Sequence, residues 1–292
     1  MDRPHRPAPL MPCILLIALA ACGGGPAGGE RTVAAADGTP IVYEVQGSGS
    51  PALVFVHCWA CNRSFWRDQV GVFAEDHTVV TLDLPGHGTA GRERTAWTLE
   101  AFADDVARVV DDAGLERVVL VGHSMGGPVS LLAAARLGDR VAGVACVDAL
   151  HDAAFEWPEG MAEQWIGGFE ADYDGAMRAG VAAMVPGDST LREWVAAEAL
   201  LADREAMVGV MRQFPTFDLA AAFSAVEVPV RCINAAPYGP YSMSTAIETN
   251  RGYADFDAVV MDGVGHFLHI ERPDEFNRHL RAVLTGMAGG VE

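Results

Sequence analysis

A chain of 292 residues with 50% hydrophobic side chains is long enough to bury one large core or two small ones, and this composition excludes a disordered protein. Its 39 acidic and 20 basic residues give a formal net charge of −19, so its surface repels nucleic acids and anionic lipid head groups. Every basic residue is an arginine, and the absence of lysine excludes Schiff-base chemistry, a P-loop lysine and a serine–lysine dyad.

The N-terminal segment has the pattern of an export signal. Two arginines precede a short apolar stretch at residues 13–21, whose last residues are small and lead directly to Cys22. We therefore predict a signal peptide over residues 1–21. The segment resembles the lipobox of bacterial lipoproteins, which implies that Cys22 is acylated and becomes the mature N-terminus. An ordinary secretory signal with an incidental cysteine is the alternative.

A glycine-rich stretch follows this cysteine. Residues 22–31 carry few side chains that could pack, which is typical of a flexible tether. After residue 31 no apolar span is long enough to cross a membrane. We therefore predict an exported protein of the bacterial cell envelope, attached to the membrane by its N-terminal lipid. The sequence does not indicate an oligomeric state.

The predicted elements begin with a β-hairpin, because residues 32–35 and 40–45 flank the tight-turn signal Asp37-Gly38. Six continuous apolar runs follow, as expected of strands buried on both faces: 52–56, 79–82, 118–121, 141–147, 228–234 and 258–261. Helical patterns, such as those at 99–113 and 128–137, separate several of these runs. The alternation predicts an α/β fold in which helices cover both faces of a mostly parallel, eight-stranded sheet.

One long interval breaks this alternation. Residues 151–223 are rich in alanine, glutamate, methionine and aromatic residues with helical spacing, and they contain no strand-like run. We interpret them as a helical cap inserted over the carboxyl edge of the sheet, where open α/β sheets bind ligands. The core then comprises residues 32–150 and 224–287. A separate helical domain is the alternative, but both flanks of the interval re-enter the same sheet.

The segment Gly-His-Ser-Met-Gly-Gly at residues 122–127 lies between a predicted strand and a predicted helix. A serine at so sharp a turn needs small neighbours, and Gly122 and Gly126 provide them for Ser124. The same turn directs the backbone N–H of Met125, at a helix N-terminus, toward an anion. The strand-turn-helix context makes Ser124 the candidate nucleophile.

Three further motifs flank the serine turn in the chain: Asp-Leu-Pro-Gly-His-Gly at 83–88 before it, and after it Gly-Val-Gly-His-Phe at 263–267 and Glu-Arg-Pro at 271–273 with Phe-Asn at 276–277. With the serine turn they resemble the α/β-hydrolase family, over residues 32–284. The resemblance implies a serine nucleophile, an acid and a histidine in that chain order. A neutral serine needs a base, and His266 is the candidate, with His269 as the alternative.

The acid departs from the commonest pattern of that family, which places it after the seventh strand. Residues 233–240 contain no carboxylate here. Some members carry the acid after the sixth strand, where this chain has Asp148. A carboxylate at that point could fix the histidine tautomer and stabilise the imidazolium. Asp148 is therefore the candidate, and Asp152 and Glu248 stay open as alternatives.

By the same resemblance, the loop after the third strand supplies a second oxyanion donor. The N–H of Trp59 would act together with that of Met125. Cys58 stands where the family usually has glycine, which narrows the loop. Cys58 and Cys61 also form a C-x-x-C pattern; we favour a small stiffening disulfide over a redox motif, because the hydrolase motifs account for the same segment.

These residues predict a serine hydrolase that acts on a small, largely apolar carboxylic ester or related acyl substrate through an acyl-enzyme. No metal or cofactor is implied, and the expected partner is a small-molecule substrate. The acidic cap disfavours anionic substrates. Aromatic residues near the cap are expected mainly to pack, with some lining the pocket: Trp59, Phe65, Trp66, Phe155, Trp157, Trp165 and Phe169. Carbon–carbon bond hydrolysis, acyl transfer, haloperoxidase-like chemistry and a non-catalytic binding lipoprotein are the alternatives.

Overall fold

The computed structural model describes residues 29–239 and 242–288. The predicted signal peptide over residues 1–21, the lipidation site Cys22 and most of the predicted tether lie outside the described residues. None of the described helices is both long and apolar enough to cross a membrane.

The centre of the molecule is a sheet of eight strands in the order β1-β2-β4-β3-β5-β6-β7-β8. Strands β1 and β2 form the predicted hairpin, β2 pairs antiparallel with β4, and every later pairing is parallel. The strand bounds are β1 Glu30–Ala34, β2 Pro40–Gln46, β3 Ala52–Val56, β4 Val79–Asp83, β5 Val118–His123, β6 Val141–Val147, β7 Val230–Ala235 and β8 Phe256–Met261. The predicted eight-stranded, mostly parallel sheet is confirmed.

Every residue of β3, β4 and β5 is buried, because these strands lie in the middle of the sheet. Their side chains alternate between two hydrophobic clusters. In β3, Ala52, Val54 and Val56 join the cluster on one face. Leu53 and Phe55 join the cluster on the other. A continuous apolar run is therefore what a strand with two covered faces requires.

Helices cover both faces of the sheet. Buried residues of α2 and α3 contribute to the first cluster, and Phe73 of α1 and Phe276 of α11 to the second. The helix bounds are α1 Arg67–Phe73, α2 Leu99–Asp112, α3 Gly126–Leu137, α4 Met161–Ala171, α5 Tyr173–Met184, α6 Ser189–Ala199, α7 Arg204–Met211, α8 Leu219–Ser224, α9 Ile247–Arg251, α10 Leu268–Glu271 and α11 Pro273–Ala288.

The chain between β6 and β7 forms the five helices α4 to α8. Backbone hydrogen bonds join this layer to loops at the carboxyl edge of the sheet. The Asp203 N–H donates to the Gly86 carbonyl at 2.8 Å, and the His266 N–H donates to the Met184 carbonyl at 2.9 Å. The helices therefore lie over that edge. The bounds of the cap, 151–223, and of the core, 32–150 and 224–287, stay predictions.

Candidate active site

Ser124 lies where β5 ends and α3 is about to begin. Its backbone has a φ of +52°, a left-handed conformation that is uncommon for a residue with a side chain. The Ser124 N–H donates to the Val147 carbonyl at 2.9 Å, and its own carbonyl accepts from the Gly127 N–H at 2.8 Å. These bonds hold the strained turn. Ser124 is partly exposed, although the residues on either side of it are buried.

The glycines of this turn are required by close backbone contacts. A Cβ atom at Gly122 would collide with the Gly126 carbonyl, and one at Gly126 would collide with the Val56 carbonyl and lie 3.0 Å from that of His57. The serine turn therefore packs directly on the loop that follows β3. A side chain larger than a hydrogen atom does not fit at Gly122 or at Gly126.

His266 and Asp148 meet although 118 residues separate them. His266 Nδ1 lies 2.6 Å from Asp148 Oδ2. Asp148 follows β6 and is 3% exposed. Glu271 fixes the loop of His266, because its carboxylate accepts the N–H groups of Gly265 at 2.9 Å and Phe267 at 3.3 Å.

The Asp148 carboxylate has further partners. Its Oδ1 accepts the Ala235 N–H at 2.9 Å, and its Oδ2 accepts the Tyr238 hydroxyl at 3.1 Å. Burial raises the pKa of Asp148, but the contacts with His266, the His151 charge and the Ala235 N–H together outweigh it, so the pKa lies below its ordinary value. Burial and the Asp148 charge raise the pKa of Tyr238, which keeps its hydroxyl protonated as a donor. Asp148 is therefore held ionised.

Sequence reasoning missed Tyr238 and a second histidine in this environment. His151 Nε2 lies 3.6 Å from Asp148 Oδ1. Its Nδ1 lies 3.4 Å from both Thr245 Oγ1 and Asn234 Nδ2. The available signal was their position: both follow strands next to each other in the sheet, β6 and β7.

A cavity of about 580 Å³ opens between the sheet edge and the helices above it. Ser124, Met125, Asp148 and His266 all line it, and Tyr238 and His151 do so as well. Of the predicted aromatic residues, Phe155, Trp157 and Trp165 line the cavity. Phe65, Trp66 and Phe169 are buried in packing, as expected for most of that set.

Comparison with known proteins agrees with this architecture. A family profile described as "alpha/beta hydrolase fold" matches residues 51–183. The structure of an esterase from Exiguobacterium antarcticum superposes with a TM-score of 0.78 over 87% of this chain and 98% of that one, at 19% identity. The chain has the α/β-hydrolase fold.

Two curated relatives align with parts of the chain. The dihydrolipoyllysine-residue acetyltransferase component of the acetoin cleaving system of Cupriavidus necator is 38% identical over 41% of this chain and 33% of its own length. A non-heme haloperoxidase of Rhodococcus erythropolis is 34% identical over 47% of this chain and 52% of its own length. The chain thus spans well under half the length of the curated relatives that it matches first.

Within this α/β-hydrolase fold, the three candidate acids occupy different environments. Asp148 contacts His266, as described above. Asp152 Oδ1 accepts the Ala154 N–H at 2.9 Å, and Glu248 pairs with Arg251 at 2.6 Å on the surface. Of the three, the structure brings Asp148 to the histidine.

The two candidate oxyanion amides differ in placement. Met125 precedes α3 and lines the cavity, whereas Trp59 is not among the described residues that line it. The Trp59 indole N–H donates to the Met207 carbonyl at 3.0 Å, which turns the side chain toward α7. Neither backbone amide donates to a protein acceptor within the described part of the chain. Their role as oxyanion donors stays a proposal.

The loop after β3 also contains the C-x-x-C pattern. Cys58 and Cys61 form a disulfide, with Cα atoms 5.2 Å apart, and both are buried. The Cys61 N–H donates to the Cys58 carbonyl at 3.1 Å, and Ala60 between them has a φ of +58°. The disulfide therefore closes a tight turn beside the serine.

The placement of potential metal ligands in the described part of the chain provides no metal site. Throughout residues 29–239 and 242–288, no group of three or more histidine, cysteine, aspartate or glutamate side chains is placed to hold a metal ion.

Four other histidines of the hydrolase fold are buried: His57, His87, His123 and His269. Burial lowers the pKa of each, and that of His269 falls to about 3. His57 shows why the neutral form fits: its Nε2 accepts the Leu84 N–H at 3.1 Å, and its Nδ1 lies 2.8 Å from the Cys58 carbonyl. His269, the alternative base, packs its ring 4.8 Å from that of Trp66.

We expect these histidines to make the protein acid-labile. In the folded state they stay neutral below pH 6.5, whereas in the unfolded chain they bind protons near their ordinary pKa of about 6.5. Unfolding thus takes up protons, so stability is fully present above about pH 6.5 and falls as pH decreases. Each histidine contributes a slope of up to about 1.4 kcal/mol per pH unit. Urea unfolding at pH 7.5, 6.0 and 5.0 measures the summed contribution of these histidines to the free energy of unfolding. Equal free energies of unfolding at all three pH values would contradict the prediction.

Proposed function

We propose that the protein is a serine hydrolase that cleaves a small, largely apolar carboxylic ester through an acyl-enzyme. The proposal depends on one observation. Ser124, Asp148 and His266 come from three separate segments, yet all line the same cavity, and the imidazole and the carboxylate lie within hydrogen-bond distance. The family match and the structural neighbour with the same fold support hydrolase chemistry.

The contact between His266 and Asp148 supports a defined sequence of proton transfers. Ionised Asp148 accepts the Nδ1–H of His266. Nε2 then carries a free lone pair that can receive a proton. Ser124 Oγ attacks the ester carbonyl while its proton passes to Nε2. The imidazolium then donates that proton to the departing alkoxide, and an alcohol leaves. Water repeats the sequence against the acyl-enzyme, which releases the acid and restores Ser124.

The negative charge of each tetrahedral intermediate needs donors that are already in place. The Met125 N–H lies at the N-terminus of the twelve-residue helix α3, where the helix dipole favours an anion. The Trp59 N–H would be the second donor, supplied by the loop that packs on Gly126. Each such donor typically accelerates turnover by about a hundredfold to a thousandfold.

A covalent probe tests this proposal. A fluorophosphonate should label the purified protein with one equivalent, on the peptide that contains Ser124, and should not label Ser124→Ala. Ser242→Ala is a matched control, because Ser242 also lines the cavity and should not be the labelled residue. Unchanged labelling of Ser124→Ala, or no labelling of the folded wild type, would contradict the assignment.

Acyl transfer is a second candidate, favoured by the alignment with the acetyltransferase component from Cupriavidus necator. The same acyl-enzyme would then pass its acyl group to an alcohol or thiol instead of water. Product analysis with a labelled acyl donor, in water alone and with an added acceptor, distinguishes the two. Preferential acylation of the acceptor at millimolar concentration favours the transferase.

We also propose export and membrane attachment through Cys22. The proposal is supported by the signal-like residues 1–21 and by the cysteine that follows them. In a bacterial host the wild type should fractionate with membranes and incorporate labelled palmitate. Cys22→Ser should do neither, and palmitate on the variant would contradict the lipidation site.

A further inference from the structure

The helical side of the cavity is rich in aromatic rings: Phe155, Trp157, Trp165, Phe214 and Phe217. The rings of Trp157 and Trp165 stack, with centroids 5.7 Å apart and planes at 24°. Phe155 meets Trp157 edge-on at 5.9 Å, and Phe214 lies 6.1 Å from Trp165. Except for Phe155, these side chains are half-buried, so the rings reach the cavity from a packed cluster.

Two carboxylates, those of Asp152 and Glu156, line the cavity beside these rings. Within the described part of the chain no arginine pairs with either one. Glu170, on the same helical layer but outside the cavity, pairs with Arg212. Among residues 29–239 and 242–288 no arginine lines the cavity, and the full sequence contains no lysine. Apart from the two histidines, the ionisable side chains that the structure describes in the cavity wall are three carboxylates and Tyr238.

A wall of aromatic rings and carboxylates favours a cationic ligand. Aromatic faces carry negative electrostatic potential and attract cations within about 6 Å of the ring centre. Unpaired carboxylates add a longer-range attraction, and they repel anions. A cation that is weakly hydrated and surrounded by methyl groups gains from both, because it also buries apolar surface against the rings.

We propose that the cavity takes a substrate whose non-reacting part carries a permanent positive charge, such as a quaternary alkylammonium ester. This inference rests on the proposed function, for which it names the substrate class. The reactive carbonyl lies at Ser124, and the aromatic and acidic wall of Asp152, Glu156, Trp157 and Trp165 holds the cationic group.

A pair of isosteric esters tests the charge preference. Butyrylcholine and 3,3-dimethylbutyl butyrate differ in one atom, nitrogen or carbon, and hence in charge. After correction for their alkaline hydrolysis rates, we expect kcat/KM at low salt to favour the cationic ester by at least about tenfold. The double variant Asp152→Asn, Glu156→Gln should lose most of this ratio. Glu159→Gln, a cap carboxylate outside the cavity, should keep it.

A binding measurement separates this inference from the hydrolase assignment. Phenyltrimethylammonium should quench tryptophan fluorescence saturably in wild type and in Ser124→Ala. Its affinity should fall at least about fivefold in Trp157→Leu and in the double variant. Benzenesulfonate, an anion of similar size, should not bind.

The outcomes are distinct. If Ser124-dependent hydrolysis shows no cationic preference and phenyltrimethylammonium does not bind, the charge preference is overturned while the hydrolase stands. If phenyltrimethylammonium binds but no ester is hydrolysed, the hydrolase proposal fails while the cation site stands. If the folded protein neither hydrolyses an ester nor binds phenyltrimethylammonium, both proposals are overturned.

Discussion

Replacing His266 with alanine is expected to reduce turnover of p-nitrophenyl butyrate by about 10⁵-fold to 10⁶-fold, comparable to the loss of a triad histidine elsewhere. The variant lacks the imidazole that contacts Asp148 and that we propose as the acceptor of the serine proton at neutral pH. The kcat at pH 8, measured with circular dichroism as a check on folding, gives the result. Asp148 and Ser124 would remain in place, so binding of the ester should change far less than turnover.

The other histidines give matched comparisons. His151 lines the same cavity and lies 3.6 Å from Asp148, whereas His269 is buried behind the site. We expect His151→Asn to cost far less turnover than His266→Ala. If His266→Ala retains turnover while His151→Asn or His269→Asn abolishes it, the general base has been misassigned.

Replacing Asp148 with asparagine is expected to lower kcat by about 10⁴-fold with little change in structure. The amide can donate to Nδ1 of His266, which places the proton on Nε2 and leaves no lone pair for Ser124. The loss of charge also removes the stabilisation of the imidazolium. The same ester assay measures the effect.

The alternative acids supply the controls for this variant. Glu248 is exposed and paired with Arg251, so Glu248→Gln should leave turnover unchanged. Asp152→Asn should have a much smaller effect than Asp148→Asn. A large loss in Asp152→Asn with near-normal turnover in Asp148→Asn would transfer the role to Asp152.

The parallel strands could be predicted because local composition determines them. The run at residues 52–56 is strand β3 with the same bounds. Strand β4 extends one residue beyond the apolar run to Asp83, whose carboxylate accepts the Arg63 N–H at 2.7 Å and is therefore stabilised in a buried position. Strand β7 begins at Val230, two residues later than predicted, because Pro229 has no N–H for the ladder. A long-range partner thus accompanies the extra residue of β4, whereas a local proline sets the start of β7.

Part of the site could also be predicted from a short stretch of sequence. The serine turn is contained within six residues, so the residues around Ser124 indicated its position. The pairing of β6 with β7, with Val147 opposite Ile233, brings the loop after β7 beside Asp148. Tyr238 acquires its contact with Asp148 from that pairing, and a tyrosine in a loop carries no signal of it. The same is true of the aromatic wall, which is assembled from the segment before α4, from α4 itself and from the segment between α7 and α8.

The bond between the His266 N–H and the Met184 carbonyl couples the reaction centre to the layer above it. Met184 is the last residue of α5, and Gly265 approaches the same carbonyl too closely for any side chain. If α5 moved outward, this bond would break, and the His266 loop would keep its bonds to Glu271 while the imidazole kept its contact with Asp148. A substitution that shifts the end of α5 is therefore expected to displace the backbone of the catalytic histidine as well, at a distance from the reacting atoms.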